Sequence, residues 1–154
     1  MKPQLSPLIL IDFAIINSSF KFIAPSNNSD IRQLVSEYQL DIDFAIIPEN
    51  ENTRVFIKAS VNQVENEIPG YSIFAEGVAV FNLSEKATLS EEDKHGLLQY
   101  SAVSIALNSL RGFISSLTSN APFGRYTLPS IDVNDLFQQK AKIVQKKTAK
   151  RKLK

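Results

Sequence analysis

Leu97-Leu98-Gln99-Tyr100-Ser101-Ala102-Val103-Ser104-Ile105-Ala106-Leu107-Asn108-Ser109-Leu110-Arg111-Gly112-Phe113-Ile114-Ser115-Ser116-Leu117 is the stretch in which the chain changes period. Val103, Leu107, Leu110, Ile114 and Leu117 recur at spacings of four, three, four and three, one continuous apolar stripe on a helix. Ser101, Ser104, Asn108, Ser115 and Ser116 fall on the opposite side. Small residues on a further face, Ala102, Ala106, Ser109 and Gly112, would let another helix approach closely. Just ahead, Ser90-Glu91-Glu92-Asp93 has the form of a capping box with Asp in place of Glu, and its acids suit a helix N-terminus.

The clearest segments upstream read with period two. Leu40, Ile42, Phe44 and Ile46 alternate with Asp41, Asp43 and Ala45, a strand with one apolar and one acidic face. Arg54 to Val64 reads as a strand with Val55, Ile57, Ala59 and Val61 on one face and Arg54, Phe56, Lys58, Ser60 and Asn62 on the other. Tyr71 to Leu83 is a further strand, with Gly77 as a bulge or close-approach point. Leu8 to Ile23 reads as one long strand whose apolar residues sit on both parities, so that either both faces are covered or a bulge shifts the register. Pro25 to Asp30 is a polar connection, and Ile31 to Tyr38 shows no clean period and reads as an irregular crossover. Four strands followed by helices indicate an α+β fold with an antiparallel sheet.

The 154 residues make one domain with a real core, and 44% apolar with 21% charged content is ordinary for a globular protein. No Cys and a single His (His95) exclude thiol chemistry and argue against a zinc site. No G-x-S-x-G, Walker A or G-x-G-x-x-G motif is present, and no catalytic residue, cofactor or metal is expected. Asp41 and Asp43 have a spacing open to paired carboxylates, but the alternation points to a solvated strand face. Leu8 to Ile16, behind Lys2, mimics a signal peptide, yet Pro7 and Asp12 interrupt it and no A-x-A site follows, so a cytoplasmic protein without membrane insertion is expected.

The net charge of +1 conceals a split. Residues 138–154 hold eight Lys/Arg and no acid, leaving nine basic residues against 16 acids in residues 1–137, a balance of −7. The basic run fits an arm for nucleic acid or an acidic partner, but a solvated, frayed terminus is the favoured reading.

An ordered set of segments then points to a family. Phe20-Lys21-Phe22-Ile23-Ala24-Pro25 closes the first strand, Leu40-Asp41-Ile42-Asp43 opens the second, and Val78-Ala79-Val80-Phe81-Asn82-Leu83 closes the fourth. Leu110-Arg111-Gly112-Phe113-Ile114-Ser115-Ser116-Leu117-Thr118, Ala121-Pro122-Phe123 and Leu128-Pro129-Ser130-Ile131-Asp132-Val133-Asn134-Asp135-Leu136-Phe137 follow. In that order, over roughly residues 8–137, they resemble the SecB family.

The resemblance implies a four-stranded antiparallel sheet with a long helix and a shorter C-terminal helix on one side. It makes residues 1–137 the SecB-like domain and residues 138–154 a basic C-terminal extension, partly helical or disordered. It further implies a homotetramer built as a dimer of dimers that holds unfolded clients without ATP, with Ala102, Ala106, Ser109 and Gly112 at the oligomer contact. The candidate client groove is Leu40, Ile42 and Phe44 with Phe123, Tyr126 and Leu128. The family's acidic docking positions for the translocase motor SecA align with Ser19, Ile23 and Phe74, all uncharged, which speaks against SecA as a partner. A dedicated client such as an antitoxin of a toxin–antitoxin system is favoured over general protein export. A nucleic-acid-binding adaptor acting through the Lys-rich tail is the alternative from another class, although nucleic acid is not the expected partner.

Overall fold

The computed structural model describes residues 1–25, 31–84 and 88–152, with side chains described at 1–25, 33–84 and 88–145. The connection expected at Pro25 to Asp30 therefore lies, beyond Pro25, outside the described residues, as do the side chains of the basic tail from Lys146 onward. The chain runs β1 (Leu8–Ile23), α1 (Ile31–Ser36), β2 (Leu40–Glu49), β3 (Asn52–Val61) and β4 (Gly70–Leu83). It continues through α2 (Glu91–Gly96), a π-helical turn (Leu97–Ser101), α3 (Ala102–Leu117) and α4 (Val133–Lys152). The strands form one antiparallel sheet in the order β1-β4-β3-β2, so β1 and β2 are its edges.

Register partners share a face, which fixes the two sides. Val55, Ile57, Ala59 and Val61 of β3 pair with Ile46, Phe44, Ile42 and Leu40 of β2, and with Ala79, Gly77, Ala75 and Ile73 of β4. This is the side on which α3 lays Val103, Ala106, Leu107, Leu110 and Ile114, all buried. Each fully buried Val, Leu or Ile side chain here contributes about 1.5–3 kcal/mol relative to exposure. The opposite face carries Ala14, Ala45, Phe56 and Val78 among charged neighbours and has no helix against it among the described residues.

The double parity of β1 has a simple cause. Bulges between Leu10 and Asp12 and between Ile15 and Asn17 shift the register twice, so that Leu10, Phe13, Ile15, Phe20 and Phe22 all reach the helix side. Gly77 lies opposite Ile15, and a Cβ there would come within 2.6 Å of the Phe13 ring, which is why this position is a glycine. Strand β3 stops at Val61, short of the expected Val64. Asn62 adopts φ 54° and turns its side chain inward, where it is buried rather than on the outer face.

The helical region begins earlier than its apolar stripe. Ser90 Oγ accepts the Asp93 N–H at 3.1 Å, the capping interaction that its sequence calls for. Asp132 caps the start of helix α4: its Oδ1 accepts the N–H groups of Asn134 (2.9 Å) and Asp135 (3.2 Å).

Candidate functional site

Two features stand out along the path that leads from α3 back across the molecule. The first is a junction of hydroxyl groups that fastens the segment after α3. The Tyr71 hydroxyl donates to the Gly124 carbonyl (2.7 Å) and accepts the Phe123 N–H (2.8 Å). The Thr118 hydroxyl accepts the Tyr126 N–H (2.8 Å) and donates to the Ile114 carbonyl (2.9 Å). The Tyr38 hydroxyl accepts the Tyr71 N–H at 2.7 Å, close enough that any side chain at Gly70 (φ 117°) would strike it. Burial pushes the Tyr126 phenol up to about 12, with Tyr38 adding to the shift, so it stays neutral across the physiological range. Phe123 is thereby set edge-on to Phe22 (5.1 Å between centroids) and beside Tyr71 (5.9 Å), at the β1 side of the sheet. Beyond it, Arg111 of α3 clamps the chain by donating from Nε to the Leu128 carbonyl (3.0 Å) and from Nη2 to the Pro129 carbonyl (2.8 Å).

The second feature is a cleft at the opposite edge, between β2 and α4. Asp41, Ile42, Asp43 and Phe44 form one wall; Leu136, Gln139, Lys140, Ile143 and Val144 form the other, around about 320 Å³. Helix α4 is fastened there by Phe137, whose ring lies 4.7 Å from Phe44 and 5.0 Å from Tyr100. One turn on, Lys140 ion-pairs with Asp43 and stands 5.6 Å from the Phe44 ring centre. Residues 141–145 are exposed, and Ile143 (49%) and Val144 (53%) lie over the cleft. No strand pairs with the outer edge of β2 among the described residues. A hollow of about 330 Å³ on the open face adjoins it, sharing Asp43 and Phe44 and floored by Phe56.

Asp43 is the electrostatic centre of this edge. Partial burial pushes its carboxyl up, but Lys140, the Phe44 N–H and Lys58 together outweigh that and hold it below the ordinary 3.8. A carboxyl depressed by folding adds stability above its unfolded value, and that contribution is lost as pH falls through the lower folded value. Acidification below about pH 4 is therefore expected to loosen α4 from β2 before the sheet melts. A Lys140→Gln substitution should raise the Asp43 value followed by carboxyl NMR; equal titration in both proteins would show that the pair does not form in solution.

No protein-family model and no curated protein sequence matches the chain. Among solved structures, the Mycobacterium tuberculosis SecB-like chaperone Rv1957, in complex with a ChAD peptide from the Rv1956 HigA1 antitoxin, superposes with a TM-score of 0.59. The match covers 81% of this chain and 91% of that one, at 15% identity. The fold is SecB-like. A protein of unknown function from Streptococcus agalactiae also matches, with a TM-score of 0.42 and 10% identity, covering 80% of this chain and 97% of that one.

The SecB-like fold distributes the residues singled out by sequence in an instructive way. Leu40, Ile42 and Phe44 share the helix side of β2, with Ile42 and Phe44 on the cleft wall. Phe123 lies across the sheet beside β1, so it does not share a groove with Phe44 within one chain. Tyr126 is buried 5.9 Å from Tyr38, and Leu128, 2% exposed, lies in the core. Ala102 and Ala106 are fully buried within the chain, which leaves half-buried Ser109 and exposed Gly112 as the members of that face a second copy could reach. Ser19 and Phe74 are register partners on the open face, and Ile23 pairs with Gly70. The wall formed by Leu136, Lys140, Ile143 and Val144 was missed from sequence. Its signal was present as Val133, Leu136, Phe137, Lys140, Ile143 and Val144 at helical spacing, hidden by the charge of the surrounding lysines.

Proposed function

We propose that the protein is an ATP-independent, SecB-like holding chaperone. It takes extended, non-native or aggregation-prone polypeptide segments, with a dedicated client such as the antitoxin of a toxin–antitoxin system. The cleft between β2 and α4 carries this reading. A strand edge that is unpaired among the described residues offers main-chain hydrogen bonds, and Ile42, Leu136, Ile143 and Val144 offer apolar burial beside it. That combination selects for extended backbone rather than for one sequence, and it needs no nucleotide. The fold is shared with a chaperone solved in complex with an antitoxin peptide, which supports a polypeptide client. Exposed Ile9, Leu10, Ile11 and Ile16 along β1 support self-association, and the holding form in this reading is a cytoplasmic homotetramer, a dimer of dimers. Hand-over to SecA, the export alternative, is disfavoured because the positions that the SecB resemblance aligns with its docking acids, Ser19, Ile23 and Phe74, present no carboxylate.

The test is suppression of aggregation of a denatured client diluted into ATP-free buffer, with particle size followed by light scattering. The variants are chosen on burial. Phe44 is 7% exposed, so a charge there would break the core, whereas Ile143 and Val144 are about half exposed and tolerate one. Intact protein and a chain lacking residues 146–154 are expected to hold the client as tetramers. An Ile143→Asp/Val144→Asp double variant should hold it at least about 10-fold less well, since two apolar contacts of the cleft wall are lost. Undiminished holding by the double variant would place the client elsewhere. Absence of holding, with steeply salt-dependent nucleic-acid binding that disappears with residues 146–154, would replace this reading by the adaptor one.

A further inference from the structure

The same two-residue device guards each edge of the sheet. On β1, Asp12 Oδ1 accepts the N–H of the following Phe13 at 2.8 Å. On β2, Asp43 Oδ1 accepts the N–H of the following Phe44 at 2.9 Å. A backbone N–H at a strand edge is the donor that an added strand must use. A side chain that occupies it competes directly with ladder formation. The two guards are not equivalent. Asp43 is held a second time by Lys140 on the same oxygen and a third time by Lys58, 3.6 Å from the other oxygen. Asp12 makes no ion pair among the described residues. Lys140 belongs to α4, so the β2 guard is locked by the helix that forms the far wall of the cleft.

We infer that Asp43 gates strand addition at the β2 edge: an extended client pairs along Phe44 only when the carboxylate, pinned by Lys140 and Lys58, swings off the Phe44 N–H. This rests on the proposed holding function and specifies how its site is controlled. The groups facing Asp43 are Lys58 from β3 and Lys140 from α4, with the Phe44 N–H on its own strand; no other ion pair reaches it among the described residues. The pair is only half buried, so it regulates rather than seals. One charge-assisted bond and two screened ion pairs correspond to about a 3- to 10-fold effect on affinity. Client binding should consequently tighten as salt weakens the lock, the reverse of binding driven by charge attraction.

The experiment uses the full chain and a fluorescein-labelled, uncharged peptide of alternating valine and threonine, read by anisotropy. Salt is raised from about 0.1 M to about 1 M, over which the screening length falls from about 10 Å to about 3 Å. Wild type should bind about 3- to 10-fold more tightly at high salt. Asp43→Ala should bind at both salts as wild type does at high salt, Lys140→Gln should lie between them, and Asp12→Ala should match wild type. Amide exchange without peptide gives a second reading: Asp43→Ala should speed the Phe44 amide and leave Phe13 unchanged. If Asp43→Ala shows wild-type affinity and salt response, the gate is overturned and holding is untouched. If no variant binds the peptide, strand addition at β2 and its gate fall together, and aggregation suppression on the same samples shows whether holding survives.

Discussion

Asn62→Ala is expected to cost about 3–5 kcal/mol of folding stability, a large share of what a domain of this size has to lose. Asn62 is 1% exposed and sits at φ 54°, in the left-handed region that alanine adopts only with strain of about 1 kcal/mol or more. Its Nδ2 donates to the carbonyls of Ile68 (2.7 Å) and Tyr71 (3.0 Å), and its Oδ1 accepts the Ile68 N–H (3.0 Å). Removing the amide leaves those buried or half-buried backbone groups without partners, at about 1–3 kcal/mol for the worst placed. At about 2–4 °C per kcal/mol, the thermal midpoint should fall by roughly 10 °C. Asn62→Gly, which restores the backbone preference but not the bonds, should recover about 1 kcal/mol of the loss. A midpoint for Asn62→Ala within a degree or two of wild type would mean that the turn is held by something other than this side chain. The damage should reach the loop after α3, because Tyr71, bonded here through its carbonyl, also holds that loop through its hydroxyl.

Phe137→Ala should release α4 without unfolding the sheet. The ring makes two tilted aromatic contacts, each worth about 0.5–1.5 kcal/mol beyond the area it covers, and it is half buried. Loss of about 2–3 kcal/mol from this attachment corresponds to roughly 30- to 150-fold faster exchange of α4 amides. Amides of β3 and β4, whose partners are the other strands and α3, should keep their protection. A parallel loss across sheet and helix would show that α4 and the core unfold as one unit.

The architecture was legible wherever one face is buried and the other wet. Strand β3 alternates so cleanly because α3 covers Val55, Ile57, Ala59 and Val61 while, among the described residues, no helix lies over Arg54 or Lys58. The helix stripe from Val103 to Ile114 was legible for the same reason. Strand β1 resisted a single parity because its two bulges move apolar residues from one frame to the other. The π-helical turn at Leu97–Ser101 left no trace, since its residues suit an ordinary helix equally well. The groove was only half legible. Period two places Ile42 and Phe44 on one face, but it says nothing of which loop folds back over them. Chain direction after Thr118 is set by hydroxyl bonds from Tyr71 and Thr118, contacts between residues more than fifty positions apart in the first case. The segment therefore visits β1 with Phe123 before α4 returns to β2 with Phe137.

The placement of the tyrosines gives the molecule an optical property of its own. There is no tryptophan, so the longest-wavelength near-ultraviolet absorption, beyond the phenylalanine band, and the emission it excites come from four tyrosines. Tyr38, Tyr71 and Tyr126 gather at the junction that holds the loop after α3, and Tyr100 lies alone against Phe137. Detachment of the loop and detachment of α4 thus alter different chromophores. A Tyr100→Phe protein reports the first event alone, and its difference from wild type isolates the second, with no label attached to either.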